Sequence, residues 1–259
     1  MKIRPLRIAP LLFLIACVAK TTHSDSSPNS KTMKDDRTKH KVLVELFTSQ
    51  GCSSCPPADA VLSELSSKQK GNTELIKLAY HVDYWNYIGW KDPFSKKEFS
   101  QLQRKYGQKL PEGRVYTPMT VLGGRSHYVG SRKSRIKDAI QEQTKQPTSV
   151  DIKLKGLKAS KDKYKIQIDA KAKDKDSRLF VALTYSGIKT SVKRGENTGR
   201  ELINDHIVFS MEEVSNPWSQ NSIVAEIPRL KKDSPANIVV FARDNDTLAV
   251  LGANQIKVQ

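Results

Sequence analysis

The sequence predicts an α/β domain, a mixed sheet flanked by helices, followed by an antiparallel, β-sandwich-like domain. Three observations predict it. Between Lys41 and Pro147, apolar runs rich in β-branched residues alternate with segments whose apolar residues recur at helical spacing. From Thr148 to Gln259 the pattern becomes an apolar–polar alternation, in about seven segments separated by turn residues. A Cys-x-x-Cys, Cys52-Ser53-Ser54-Cys55, stands where the first predicted strand passes into the first predicted helix.

The chain has 259 residues and opens on a signal peptide, residues 1–16. Lys2, Arg4 and Arg7 form a positive leader, and Ile8 to Ala16 is an apolar core far below the roughly 20 residues that span a bilayer as a helix. The core ends in Leu14-Ile15-Ala16-Cys17, which resembles the bacterial lipobox, so Cys17 is expected to become the lipidated first residue of the mature protein. The competing reading is an ordinary signal peptide cut nearby. Val18, in place of an aspartate that retains such proteins at the inner membrane, favours the outer membrane. Residues 17–40 then form the lipidated N-terminus and a polar tether with too little apolar surface to fold. Either reading exports the chain to a compartment where disulfides persist. Of its three cysteines, Cys52 and Cys55 are then the pair left to react.

Residues 41–147 are the predicted α/β domain. Val42 to Thr48 reads as strand, and Pro57 to Ser66 as a helix with Ala60, Leu62 and Leu65 inward. Glu74 to Tyr84 is a long second strand, and Phe94 to Leu110 a helix with Phe99, Leu102 and Tyr106 on one face. Pro118 to Leu122 and His127 to Gly130 are strands joined by a Gly123-Gly124 turn, and Ser134 to Gln146 is a closing helix with Ile136, Ala139 and Ile140 inward. Parallel strands in this β-α-β-α-β-β-α order require right-handed crossovers. Residues 148–259 are the predicted β-rich domain, with strands at 148–157, 164–173, 179–186, 205–214, 222–227, 237–243 and 248–258.

Composition excludes some functions. The formal net charge is +17, but the cations are dispersed, and Lys153, Lys155, Lys163, Lys165, Lys171 and Lys173 alternate as the outward positions of strands do. A nucleic-acid protein gathers its charge on one helix or stripe with interleaved aromatics. No nucleic-acid partner is therefore expected, while attraction to anionic lipid or an acidic partner stays open. No phosphate-cradling glycine loop, zinc-protease signature or nucleophile elbow occurs.

A Cys-x-x-Cys between a strand and the first turn of a helix is the redox arrangement of thioredoxin-like proteins. Unpaired N–H groups at a helix start stabilise an anion, so a thiol there loses its proton more readily. Pro56 and Pro57 suit a first turn, where N–H groups lack intrahelical partners. Cys52 is expected to be the more exposed nucleophile and Cys55 the resolving thiol. In thioredoxin-like folds a cis-proline precedes the third strand beside the cysteines, and Thr117-Pro118 fits that place, with Thr117 and Pro118 offering backbone to an extended substrate. The aromatic stretch from His81 to Phe94 includes Trp85 and Trp90, a substrate-docking lip or alternatively a hydrophobic plug. Asp83 is a candidate proton acceptor for Cys55.

Residues 44–59 (Val-Glu-Leu-Phe-Thr-Ser-Gln-Gly-Cys-Ser-Ser-Cys-Pro-Pro-Ala-Asp) are similar to the signature of an exported bacterial family of unknown function, DUF1223. So are the stretch from His81 to Phe94, Tyr116-Thr117-Pro118, and Gly195-Glu196-Asn197-Thr198-Gly199-Arg200. The resemblance implies a thioredoxin-like domain with a β-rich appendage and brings no settled activity. The residues themselves point to an envelope thiol–disulfide oxidoreductase, using no organic cofactor beyond a redox-active Cys52–Cys55 disulfide and exchanging with exported proteins and a redox partner. Ser53 and Ser54 replace the dipeptides of familiar relatives, which leaves the direction of electron flow open.

Other readings stand beside this one. The pair could be a static disulfide in a binding module, or a Cu(I) site in a metallochaperone with His81 or His127 beside Cys52 and Cys55. A structural zinc site would need a second ligand pair, which the sequence lacks. An adhesin-like role, in which the β-rich part binds and the rest supports it, is a third. Glu196, Asn197 and Arg200 form a polar cluster that either reaches over the cysteines, fastens the two parts, or holds its own loop.

Overall fold

A computed structural model of the chain describes residues 40–69, 73–172, 176–219, 222–228 and 234–258. The described residues form one compact unit. The expected signal peptide, Cys17 and nearly all of the tether lie outside the described residues. The N-terminal half runs β1 (His40–Thr48), α1 (Pro56–Glu64), the two-residue β2 (Lys68–Gln69), β3 (Thr73–His81), α2 (Lys97–Lys109), β4 (Met119–Leu122), β5 (Ser126–Val129) and α3 (Lys133–Gln143). The C-terminal half is all strand: β6 (Val150–Ala159), β7 (Lys163–Ala172), β8 (Ser177–Tyr185), β9 (Ile188–Ser191), β10 (Glu201–Asn204), β11 (Ile207–Glu213), β12 (Ile223–Pro228), β13 (Ala236–Asp244) and β14 (Val250–Val258).

β1 lies deep in the main sheet, and its composition follows from that position. Val44 and Leu46 pack with Val61, Leu62, Ile136 and Ile140 of α1 and α3, while Leu43 and Phe47 pack with Phe99, Leu102 and Tyr106 of α2. A strand covered on both faces reads as a continuous apolar run instead of an alternation. Each large side chain buried this way contributes roughly 1.5–3 kcal/mol. β1 pairs in parallel with β3 and antiparallel with β4, which pairs antiparallel with β5.

The composition change at Pro147 does not interrupt this sheet. Its strand order is β14-β13-β8-β11-β3-β1-β4-β5, with β2 also on β3, so four C-terminal strands extend the N-terminal sheet. The join is β11 beside β3, where Ile207 stands opposite Ala79 and the Ala79 N–H donates to the His206 carbonyl at 2.8 Å. The expected sandwich is therefore built differently. β12, β7 and β6 form a separate three-stranded sheet, and their inward residues, including Ile166, Ile168 and Ile227, pack on Leu179, Val181, Leu183, Ile238 and Val240 of the main sheet. The open edge of β3 needs a strand to cover its unpaired backbone groups, and the strand that supplies this comes from beyond residue 147.

A buried charge pair also joins the two halves. Arg243 on β13 donates through Nη2 to the Glu45 carboxylate on β1, and the Tyr106 hydroxyl donates to the same carboxylate at 2.7 Å. The guanidinium lies over the rings of Tyr106, Phe180 and Phe241.

Two further differences from expectation bear on the site. β3 stops at His81, after which the chain turns through a short 3-10 segment at Asn86–Ile88 and Val82 alone bridges to Lys96. The connection between β8 and β11 contains a hairpin, β9 against β10. Among the described residues no helix is long and apolar enough to cross a membrane.

Candidate functional site

Cys52 and Cys55 lie between β1 and α1, joined as a disulfide with Cα atoms 5.4 Å apart. The helix itself begins at Pro56 with Cys55 in the N-cap position, so the pair occupies the turn ahead of it, closed by the Cys55 N–H donating to the Cys52 carbonyl at 3.2 Å. The expectation of an exposed Cys52 is corrected by this placement. Cys52 is 1% exposed and Cys55 0%, whereas Ser53 and Ser54 face solvent.

The Thr117–Pro118 peptide bond is cis and lies beside the pair. The Thr117 hydroxyl is 3.5 Å from Cys52 Sγ and accepts the Trp85 indole N–H at 2.7 Å. Ser54 Oγ stands 3.3 Å from the same sulfur. The second tryptophan reaches the turn by another route, Trp90 donating to the Gln50 side-chain carbonyl at 3.2 Å.

Beneath the turn is a buried polar network in which His81, a candidate metal ligand by sequence, meets Asp92, Asp59 and Thr48. Asp59, one helical turn after Cys55, accepts the Thr48 hydroxyl at 3.1 Å. Burial pushes the Asp59 carboxyl up to about 7, against the opposing pull of the His81 imidazole and the Thr48 hydroxyl. His81 Nδ1 is 2.7 Å from Asp92 Oδ2, and both side chains are fully buried. Burial alone would lower the His81 pKa, but the Asp92 carboxylate outweighs it and raises it. Burial opposes the Asp92 charge too. His81 and the N–H groups of Gln50 and Phe94 overcome this and hold the Asp92 carboxyl below its ordinary range. Among the described residues His81 Nε2 has no hydrogen-bond partner. One signal for Asp59 was available: a carboxylate four positions after Cys55 shares its face of the helix.

A loop from the C-terminal half covers the turn. Asn197, itself wholly buried, donates through Nδ2 to the carbonyls of Gln50 and Cys52, both at 2.9 Å. Glu196 accepts the Ser53 N–H at 2.8 Å, a bond that holds its carboxyl below the usual range. Arg200 donates to Asn197 Oδ1 at 3.0 Å and so orients the amide. Gly195, at φ +78°, packs so closely on Ile88 and Trp90 that a Cβ there would meet Ile88 Cδ1 at 3.0 Å. The hairpin of β9 and β10 carries this loop, and Gln50 Nε2 donates to Asn204 Oδ1 at its far end at 2.9 Å.

The structure therefore brings Cys52, Cys55, Thr117, Pro118 and Trp85 together, with Trp90 one residue further out. It places Asp83 elsewhere: the Asp83 carboxylate accepts the Ser100 hydroxyl at the start of α2. His127 is engaged by the Tyr116 hydroxyl and the Pro111 carbonyl. Among the described residues no group of three or more His, Cys, Asp or Glu is placed to hold a metal ion.

Solved structures resemble this chain over most of its length. A crystal structure of a protein from Agrobacterium tumefaciens is 29% identical with a TM-score of 0.60, the match covering 83% of this chain and 93% of that one. HBP35 of Porphyromonas gingivalis is 17% identical with a TM-score of 0.61, covering 85% of this chain and 76% of that one, a likeness of fold alone. No curated protein matches significantly. The family described as "Protein of unknown function (DUF1223)" matches residues 43–243, which include the Cys-x-x-Cys turn, the cis-proline, the buried network and the covering loop. The chain belongs to the DUF1223 family.

Proposed function

We propose that this protein is an envelope thiol–disulfide oxidoreductase on a thioredoxin-like scaffold, exported and held to the membrane through lipid on Cys17, which exchanges disulfides with exported proteins through Cys52 and Cys55. The observation that carries the reading is the meeting of two segments distant in sequence. The Thr117 hydroxyl, at the cis Thr117–Pro118 bond, stands 3.5 Å from Cys52 Sγ. The strand order β3-β1-β4-β5, with β1 and β3 parallel and β4 and β5 antiparallel, supports the thioredoxin-like assignment.

The chemistry balances without a cofactor. A client thiolate attacks Cys52 Sγ, forming a mixed disulfide while the Cys52–Cys55 bond breaks and Cys55 leaves as a thiolate. The buried Asp59, whose N–H donates to the Cys55 carbonyl at 3.0 Å and whose carboxyl sits at about 7, is the group assigned to deliver the proton that Cys55 takes up. A second client thiolate then attacks the client sulfur of the mixed disulfide. The client leaves oxidised by two electrons, and Cys52 is released as the thiolate. Run in reverse, with Asp59 accepting the proton, the same steps reduce a client disulfide. Burial of both sulfurs requires the loop carrying Glu196 and Asn197 to withdraw before a client docks.

Trapping tests the reading. Cys55→Ser in the native envelope should accumulate mixed disulfides on Cys52, seen as adducts that collapse on reduction. A Cys55→Ser protein that carries no adduct there, with the fold intact by circular dichroism, would count against disulfide exchange.

A further inference from the structure

Beside the cis-proline lies a cavity of about 680 Å³ that the disulfide chemistry does not use, lined among others by Arg114, Tyr116, Tyr128, Arg132 and Arg135. One wall is the segment between α2 and the cis-proline, and the other is β5 with the turn into α3. The Tyr116 hydroxyl, 2.9 Å from His127 Nδ1, ties the walls together. Arg114 and Arg132, from opposite walls, both act electrostatically on Tyr116. Glu112 is the single acidic residue of the lining. All three arginines are exposed, and the first turn of α3 contains no acidic residue to offset them.

The cavity also has apolar contacts to offer. Val115 is 43% exposed and Val129 37%, two of the few large apolar side chains left open to solvent. β5 is the terminal strand of the main sheet, pairing with β4 on one side, so its outer edge presents backbone groups suited to an extended chain. The groove lies next to the cis-proline in the chain, since Tyr116 of its lining directly precedes the Thr117–Pro118 bond. The Gly130 N–H donates to the Pro118 carbonyl at 2.9 Å, and a Cβ on Gly130 would stand 3.2 Å from Pro118 Cβ and 2.8 Å from Ala58 Cβ. A chain lying in the groove would thus run toward Thr117 and Cys52.

We infer that this groove docks an extended acidic segment of the client protein, with carboxylates on Arg114, Arg132 and Arg135, small apolar side chains against Val115 and Val129, and the client cysteine brought to the cis-proline. The inference rests on the disulfide-exchange reading for its purpose and not for its test. Charge complementarity across such a surface steers encounter and excludes the wrong partner. Charge-assisted carboxylate–guanidinium bonds are the strong contacts available.

The test uses the full-length oxidised protein and a fluorescein-labelled, cysteine-free peptide in which glutamate alternates with valine, with a second peptide bearing lysine in place of glutamate. Anisotropy should register binding of the glutamate peptide, weakening as salt rises, and at least about tenfold weaker binding of the lysine peptide. The combined Arg114→Glu, Arg132→Glu, Arg135→Glu variant should lose about tenfold or more for the glutamate peptide, and the milder Arg→Gln set should fall between. A thermal melt matching the parent shows that these exposed changes leave the fold alone. Equal binding of both peptides, no binding of the glutamate peptide, or binding indifferent to the arginine changes overturns the docking inference. Absence of mixed disulfides on Cys52 with peptide binding intact overturns the redox reading alone.

Discussion

Asp59 is the residue on which the proposed chemistry turns. It sits one helical turn beyond Cys55, out of solvent, with its carboxyl raised from the ordinary 3.8 to about 7. A carboxyl raised in the folded chain holds its proton more tightly there than in the unfolded chain. Its contribution to stability is therefore fully present below about pH 4 and is lost as pH climbs toward 7, on the order of 4 kcal/mol over that window. Asp59→Asn keeps the shape and cannot ionise. The variant should gain stability relative to the parent as pH rises from about 5 to about 8, read as a change in the difference of urea midpoints. It should also lose the inflection near neutrality in the rate at which a small thiol opens Cys52–Cys55. A parent and variant with parallel pH profiles in both measurements would remove Asp59 from the mechanism. Asp83 has a different task, receiving the Ser100 hydroxyl where the chain enters α2, and Asp83→Asn should leave that inflection in place.

The hairpin of β9 and β10 is the element to which the proposed function assigns access to the cysteines. Its loop closes on the Cys52–Cys55 turn with two hydrogen bonds from Asn197 and one to Glu196, beside the packing of Gly195 on Ile88 and Trp90. Each hydrogen bond contributes roughly 1 kcal/mol net, so deleting the Asn197 amide should shift the closed–open balance by about tenfold or more. Asn197→Ala should therefore raise the rate of Cys52–Cys55 reduction by dithiothreitol about tenfold, followed by alkylation and mass spectrometry. Arg200→Ala, which only unties the amide that it orients, should give a smaller rise. An unchanged rate in both would mean that the sulfurs are reached by a path that does not involve the loop. The same contacts explain the Gly195–Arg200 motif: a left-handed glycine for close approach, a carboxylate for an N–H, an amide for two carbonyls and an arginine to fix the amide.

At the scale of the molecule, the two halves share the main sheet and a core packed against it. Glu45 and Arg243 are 198 residues apart and meet with almost no solvent contact, under the rings of Tyr106, Phe180 and Phe241. Removing one member of a buried pair strands the other, a loss of about 3–5 kcal/mol, while replacing both with apolar residues of similar volume is far less costly. Arg243→Met should thus lower the urea midpoint sharply, and Glu45→Met combined with Arg243→Met should recover most of it. Unfolding should be a single transition for the whole of residues 38–259, with tryptophan fluorescence and far-UV circular dichroism coinciding, because both halves share the sheet. Two separated transitions would indicate that the halves fold independently.

Much of this was legible in the residues, for reasons of local chemistry. The apolar run Val42 to Phe47, the helical spacing of Phe99, Leu102 and Tyr106, and the alternation in Lys163–Ala172 each carry a period that a strand or helix must satisfy wherever it packs. The Cys-x-x-Cys turn, Thr117-Pro118 and the Gly195–Arg200 motif were likewise visible, because unusual residues in fixed order announce a backbone or chemical requirement. Three matters were decided only by the tertiary structure. Which strand covers the edge of β3 depends on backbone pairing, and backbone groups are the same in every residue. Whether Cys52 meets solvent depends on segments distant in sequence, among them Thr117 and a loop whose Asn197 lies 145 residues away. Whether Asp59 or Asp83 sits among buried groups depends on burial, which belongs to the assembled core and has no counterpart in the order of residues along the chain.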